Sequence, residues 1–263
     1  MAPFDLRLLR LVPQTRRPVV ALGALGVIGG LATLAGAFAL TTLVVAVVRG
    51  EPILVPALVT LGVFGVRGLL ALRGDLPEDG MPEGHLPHAD SLVRLIRRWE
   101  SARVARLAAG RLAVGVACYP NGHAESATPD EDIDVLLAKQ RLGADFAITQ
   151  LFFDAEDFLR FAQRAELAGV KIPLIPGIMP MTSLRRLERM GQLSGLTVPE
   201  RVRTQLAAAT TPEEEYEIGM ELTAQLARTI VAGGADGLHI YTHNNPDITQ
   251  DLLSRIGVDN DEH

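Results

Sequence analysis

This sequence predicts an α/β fold on a parallel sheet, a partial (β/α)8 barrel of five strand units, preceded by a hydrophobic helical hairpin. Three observations carry that reading. From Gly68 onward, short apolar runs alternate with amphipathic helical stretches. Several of those runs are continuously apolar, as parallel strands covered on both faces are. The first 66 residues have a different texture, dominated by two long uncharged runs.

The hairpin comes first. Pro18 to Val48 is a run of 31 residues without a charge. A membrane-spanning helix needs about 20 apolar residues, and the run is too long for the core of a cleaved signal peptide, about 7–15 residues. Arg7, Arg10, Arg16 and Arg17 precede it, which favours a cytoplasmic N-terminus. A second uncharged run covers Pro52 to Val66, and Arg49-Gly50-Glu51-Pro52 between the two reads as a tight polar turn. The expectation is a transmembrane segment over residues 1–66, with membrane association through 18–66, and a cytoplasmic α/β unit over 67–263.

The strands follow. Leu69–Leu72, Leu112–Ala117, Phe146–Thr149, Leu174–Ile175 and Gly237–Ile240 are the candidates. The helices between them carry clear punctuation. Thr128-Pro129-Asp130-Glu131 is a capping box with Pro at the first helical position, and Gly143 closes that helix. Asp154 can cap Ala155–Ala168, with Gly169 at the far end. Thr211-Pro212-Glu213-Glu214 repeats the capping box before a long helix ending at Gly233. Strand and helix in strict alternation argue a parallel sheet. The five strands compare with eight in a closed barrel of this kind.

Charge narrows the function. The whole chain carries a net charge of −6; residues 1–66 hold five Arg against Asp5 and Glu51, a balance of +3 that leaves −9 for the remainder. Nucleic-acid binding would need a basic face, so no nucleic-acid partner is expected. Cys118 is the only cysteine, so neither an internal disulfide nor a cysteine-rich metal site can form, and no metal is expected.

In parallel α/β folds the chemistry sits at the C-terminal ends of the strands. Polar loops follow each apolar run: Arg73-Gly74-Asp75, Tyr119-Pro120-Asn121-Gly122-His123, Thr149-Gln150, Pro176-Gly177-Ile178-Met179-Pro180 and Tyr241-Thr242-His243-Asn244-Asn245. Each alone reads equally as a turn or a surface residue. Five of them at one end of one sheet do not arise readily by chance.

LALRGD (70–75), YPNGH (119–123), AITQLFFD (147–154), IPGIMP (175–180) and HIYTHN (239–244) resemble, in order and spacing, the last five strand-end motifs of the flavin-dependent methylenetetrahydrofolate reductases, over about residues 65–258. The resemblance implies a (β/α)8 barrel with FAD at the strand C-termini. It also implies NAD(P)H as reductant and reduction of methylenetetrahydrofolate to methyltetrahydrofolate. Arg73, Gly74 and Asp75 then match a loop beside the flavin, with Asp75 stabilising the iminium cation of the opened folate ring. His88 and Ala89 match positions bordering the flavin, and Tyr119 and His123 match FAD contacts. Asp132 and Lys139 match residues that hold ribose and phosphate; seven residues is about two helical turns, which puts both on one face. Gln150 matches the side chain that binds the folate pterin. The resemblance leaves homo-oligomerisation open.

The sequence also departs from that family. Its general-acid Glu, in a motif near Phe-Glu-Phe-Phe-Pro-Pro, has no counterpart here, and residues 1–66 stand where three strand units would be. Asn245 stands where the family usually has Arg for the folate tail, and Val135 replaces a usually polar residue. General acid catalysis contributes about 10²–10⁴-fold, so efficient turnover by this chain alone is not expected. The alternative reading is a membrane-anchored binding or scaffold module that does not turn over substrate.

Overall fold

A computed structural model of the chain describes residues 67–73, 86, 88–102 and 111–258. The helical segment expected over 18–66 lies outside these residues. Among the described residues, no helix is long and apolar enough to cross a membrane. The elements below belong to the second of the two compact units into which the chain divides, Gly68–His263.

The order is β1 (Gly68–Ala71), α1 (Ala89–Ser101), β2 (Ala113–Cys118), α2 (Pro129–Arg141), β3 (Phe146–Thr149), α3 (Ala155–Ala168), β4 (Leu174–Ile175) and β5 (Gly177–Ile178). Then come α4 (Leu184–Ser194), α5 (Glu200–Ala207), α6 (Pro212–Ala232), β6 (His239–Ile240) and α7 (Pro246–Arg255). Strands β1-β2-β3-β4 form one parallel sheet in sequence order, and β5-β6 a second parallel pair. The α/β class and the parallel pairing therefore stand as expected.

One expectation needs revision. The Pro176–Pro180 stretch is not all loop, because Gly177–Ile178 pairs with His239–Ile240. Successive backbone groups point to opposite sides, and Gly177 N–H, the next donor on the β3 side, goes to the Thr149 hydroxyl in place of its carbonyl. The chain shifts there from one ladder to the other: Ala147 donates to the Pro173 carbonyl before the break, and His239 donates to the Pro176 carbonyl at it. The last strand is also shorter than the expected Gly237–Ile240. Closure of these strands into a barrel is not seen among the described residues.

The helix caps follow the sequence. Thr128 accepts from the Glu131 N–H, Asp154 from the Glu156 N–H, and Thr211 from the Glu214 N–H. Gly143 (φ 103°) and Gly169 (φ 99°) follow the last turns of α2 and α3 in left-handed conformation. At the end of α6 the left-handed residue is Gly234, one position beyond the cap Gly233.

Two apolar clusters fix these elements. In the first, Val114 and Val116 of β2 and Ala147 of β3 bury one sheet face against Val93 and Ile96 of α1, Ile133 and Leu136 of α2, and Phe161 of α3. In the second, Met220, Ala224, Ala227 and Ile230 of α6 pack with Ile178, Leu187, Val202 and Leu206. Each Val, Leu, Ile, Phe or Met among them contributes about 1.5–3 kcal/mol when fully buried. The opposite face of the first sheet is less covered: Leu70 is 46% and Leu72 48% exposed.

At the sheet's N-terminal end, Arg97 of α1 donates to the Gly143 and Leu112 carbonyls and pairs with Glu100 and Asp145. Glu100 in turn accepts from the Leu112 N–H at 2.6 Å and Asp145 from the Val114 N–H at 2.7 Å. The bottom of the sheet is thus held by charge as well as by apolar contact, away from the ends that carry the candidate chemistry.

Candidate active site at the strand C-termini

Because every strand pair is parallel, the segments after β1, β2, β3, β5 and β6 leave their strands at corresponding ends. Arg73, two residues beyond β1, forms a two-point ion pair with Glu125 of the β2–α2 loop, at 2.9 and 2.8 Å. That hydrogen bonding raises the arginine's pKa and holds the glutamate below the usual carboxylate range. Sequence reasoning missed Glu125, since no local pattern links it to a residue 52 positions earlier.

The loop after β2 is organised from beneath. Asp132, in the first turn of α2, accepts from the His123 backbone N–H at 3.2 Å and from the Ser126 hydroxyl at 2.8 Å. The Glu125 N–H donates to His123 Nδ1 at 3.2 Å. The rings of Tyr119 and His123 meet edge to face, 4.5 Å between centroids. Burial pushes the Tyr119 hydroxyl's pKa up.

Asp132 and Lys139 do share one face of α2, and both are buried, each 8% exposed. The Lys139 ammonium donates to the Ala117 carbonyl at 2.9 Å. Burial lowers its pKa, against the opposing pull of Cys118 and Asp132. An ammonium has three donors, and Ala117 takes one. Burial also pushes the neighbouring Cys118 thiol up to about 12.

The third strand end is the most tightly built. Gln150 donates its backbone N–H to the Cys118 carbonyl at 2.8 Å. Its side-chain oxygen accepts from the Leu151 N–H at 2.9 Å. Thr149 is fully buried; its hydroxyl oxygen accepts from Gly177 N–H, and its carbonyl accepts from the Tyr241 hydroxyl, both at 2.8 Å. Gly177 must be glycine here: an added Cβ would lie 2.5 Å from the Thr149 carbonyl oxygen and 2.7 Å from the Tyr241 ring. The His239 and Tyr241 rings meet edge to face at 4.7 Å.

The remaining expected positions divide. Gly74 and Asp75 lie outside the described residues. His88 is exposed, in the N-cap position of α1 with no side-chain cap bond, and Ala89 is the first residue of that helix. Asn245, at the position where the resemblance implies Arg, caps α7 by accepting from the Ile248 N–H. It lines a shallow cleft of about 500 Å³ with Thr242, Asn244, Thr249 and Gln250, all uncharged. His243 and Asn244 have positive φ, 49° and 58°. Val135 is 44% exposed. No three His, Cys, Asp or Glu side chains come together as a metal site among the described residues.

The model of the family described as methylenetetrahydrofolate reductase matches residues 45–257. The chain belongs to the methylenetetrahydrofolate reductase family. The match begins inside the apolar N-terminal stretch, ahead of the residue 65 where the motif resemblance begins, and takes in the second uncharged run. The chain is 33% identical to "Methylenetetrahydrofolate reductase 1" of Schizosaccharomyces pombe over 202 residues, 74% of this chain and 32% of that one. It is 30% identical to the "5,10-methylenetetrahydrofolate reductase" of Pectobacterium carotovorum over 196 residues, 74% of this chain and 61% of that one. The Escherichia coli protein of the same name is 29% identical, with 62% of it covered. The chain thus spans about a third of the fungal methylenetetrahydrofolate reductase and three-fifths of the bacterial ones.

Proposed function

We propose that this chain is a methylenetetrahydrofolate reductase-like flavoprotein, which reduces 5,10-methylenetetrahydrofolate to 5-methyltetrahydrofolate with NAD(P)H through FAD. The observation that carries the reading is the convergence just described. Arg73, the Tyr119–His123 ring pair, Gln150 and Tyr241 lie at corresponding ends of parallel strands, with Asp132 and Lys139 beneath the second of those loops.

The donor chemistry of these residues fits a large anionic, aromatic cofactor. Lys139 supplies a cation that suits a phosphate as a point charge, and Arg73 supplies one already paired with Glu125. Tyr119 and His123 supply ring edges, and His88 and Ala89 border the same region at the start of α1. Asp132 offers a carboxylate for ribose hydroxyls, although it already accepts two hydrogen bonds from its own loop. Bound FAD would supply two-electron hydride chemistry; the protein's part is orientation and charge. Gln150 is assigned to the pterin, and Asp75 is assigned the carboxylate that faces the cationic folate.

Supplying FAD to purified chain tests this directly. Retention of a yellow, protein-bound flavin through gel filtration supports the reading. A colourless protein, also after fusion to the N-terminal strands of an intact relative, sinks the assignment of Tyr119, His123, Asp132 and Lys139 to the cofactor.

A second part of the proposal rests on the uncharged run from Pro18 to Val48, which is long enough to cross a bilayer. We assign residues 18–66 to membrane attachment with the folate chemistry on the cytoplasmic side. Recovery of the full-length chain wholly in the soluble fraction on cell breakage would contradict it.

A further inference from the structure

We propose that Tyr241 is a positioning residue for Gln150, acting through the Thr149 carbonyl; the inference rests on the reading of Gln150 as the pterin-binding side chain. Backbone and side-chain hydrogen bonds carry it. The Tyr241 hydroxyl donates to the Thr149 carbonyl at 2.8 Å across 92 residues of sequence. In an unbroken parallel ladder that carbonyl would accept from the next strand's backbone N–H. Here the N–H in that position, that of Gly177, goes to the Thr149 hydroxyl instead. The Tyr241 hydroxyl therefore takes the place of the missing strand partner.

The peptide it holds is the one that joins Thr149 to Gln150. The other side of that peptide is fixed to β2, since the Gln150 N–H donates to the Cys118 carbonyl at 2.8 Å. The Gln150 amide is thus set between two anchors, and only one of them is a side chain. Gly177 provides the room: any Cβ there would displace the Tyr241 ring or the Thr149 carbonyl. Tyr241 is itself placed by the Tyr241 N–H to Ile178 carbonyl bond at 2.9 Å, at the end of the β5–β6 pair. The tyrosine hydroxyl is therefore a tie between the two ladders at the point where the folate would be read.

Removing the hydroxyl leaves the ring and its packing but leaves a buried carbonyl without its donor. Such a loss corresponds to about a tenfold change in an equilibrium. The test compares wild type with Tyr241→Phe in both half-reactions, using full-length protein loaded with FAD. The expected result is a rise of about tenfold in the apparent Kd and KM for methylenetetrahydrofolate, with flavin reduction by NAD(P)H at the wild-type rate. Thr149→Ser, which keeps both the carbonyl and an accepting hydroxyl oxygen, should stay near wild type. An unchanged folate KM in Tyr241→Phe would overturn the inference while leaving the functional reading intact. Equal losses in both half-reactions would overturn it too, because they would indicate a general structural role. A wild type that neither binds nor reduces the folate would remove the functional reading and this inference with it.

Discussion

Arg73 and Glu125 are joined by two hydrogen bonds of 2.9 and 2.8 Å, which tie the end of β1 to the loop after β2. The carboxylate's pKa is depressed, chiefly by the hydrogen bonds from Arg73. A group with a depressed folded-state pKa contributes stability above its unfolded value, about 4.3 for Glu, and that contribution is lost as pH falls through the folded value. Glu125→Gln should therefore melt below wild type at neutral pH, and the two curves should converge in acid. High salt should shrink the neutral-pH difference as well, since Glu125 is half exposed. Thermal melts across pH and salt check both. A difference that persists unchanged in acid would mean the pair is not what separates the variants.

Arg97 gives the largest expected electrostatic effect. Its guanidinium serves two carbonyls and two carboxylates, and Glu100 beside it is only 6% exposed. Arg97→Met leaves a buried carboxylate without its cation, which costs about 3–5 kcal/mol. Urea unfolding should show a midpoint well below wild type. Flavin binding in the surviving folded fraction should be unaffected, because this network lies at the opposite strand ends.

Gly219 and Thr223 of α6 hold the segment after β5. A Cβ on Gly219 would lie 1.6 Å from the Met181 carbonyl oxygen, so Gly219→Ala must push α6 away from that segment, at about 3 kcal/mol or more. Thr223 accepts from the buried Met181 N–H at 2.9 Å and donates to the Gly219 carbonyl at 2.8 Å. Thr223→Val orphans that N–H at nearly constant volume and should cost about 1–3 kcal/mol. Denaturant titrations of the two variants should rank Gly219→Ala as the more damaging.

Cys118 should be inert in the folded protein. It is buried, and burial holds its thiol at about 12, whereas the reacting species is the thiolate. A thiol reagent at pH 8 should label the native chain slowly and the denatured chain completely with one equivalent. Rapid native labelling would show that the β2 end is open to solvent.

Much of this arrangement was legible in the sequence because local rules decide it. The capping residues Thr128, Asp154 and Thr211 act within their own first turns, and the apolar runs at 112–117 and 146–149 need only a sheet to bury them. The seven-residue spacing of Asp132 and Lys139 sufficed to put both on one helix face, and the structure buries that face. What escaped depends on partners far away in sequence. The Arg73–Glu125 pair spans 52 residues and the Tyr241–Thr149 bond 92, and nothing near either end announces the other. The pairing of Gly177–Ile178 was hidden because Pro-Gly reads as a turn, and only the structure shows the Gly177 N–H on the Thr149 hydroxyl. Asn245 was noted as a departure, and its α7 cap gives that residue a structural task. The helix α1, whose Val93 and Ile96 are buried, carries the 3.6-residue periodicity that could have announced it.

The role given to Asp75 separates the two half-reactions. Asp75→Asn should slow folate reduction more than flavin reduction by NAD(P)H, because the carboxylate is assigned to the folate cation and not to the nicotinamide step. Stopped-flow traces of each half-reaction decide the matter, and equal slowing would refute the assignment.

The central claim is that this chain carries the folate- and flavin-binding strand ends of a methylenetetrahydrofolate reductase. The measurement that tests it most directly is anaerobic reoxidation of NAD(P)H-reduced, FAD-loaded protein on addition of methylenetetrahydrofolate, followed by the return of oxidised-flavin absorbance. Folate-dependent reoxidation is expected, slow in this chain and faster once the family's general-acid strand is supplied in a chimera. Bound flavin that is reduced by NAD(P)H but never reoxidised by the folate, in the chain and in the chimera alike, would contradict it.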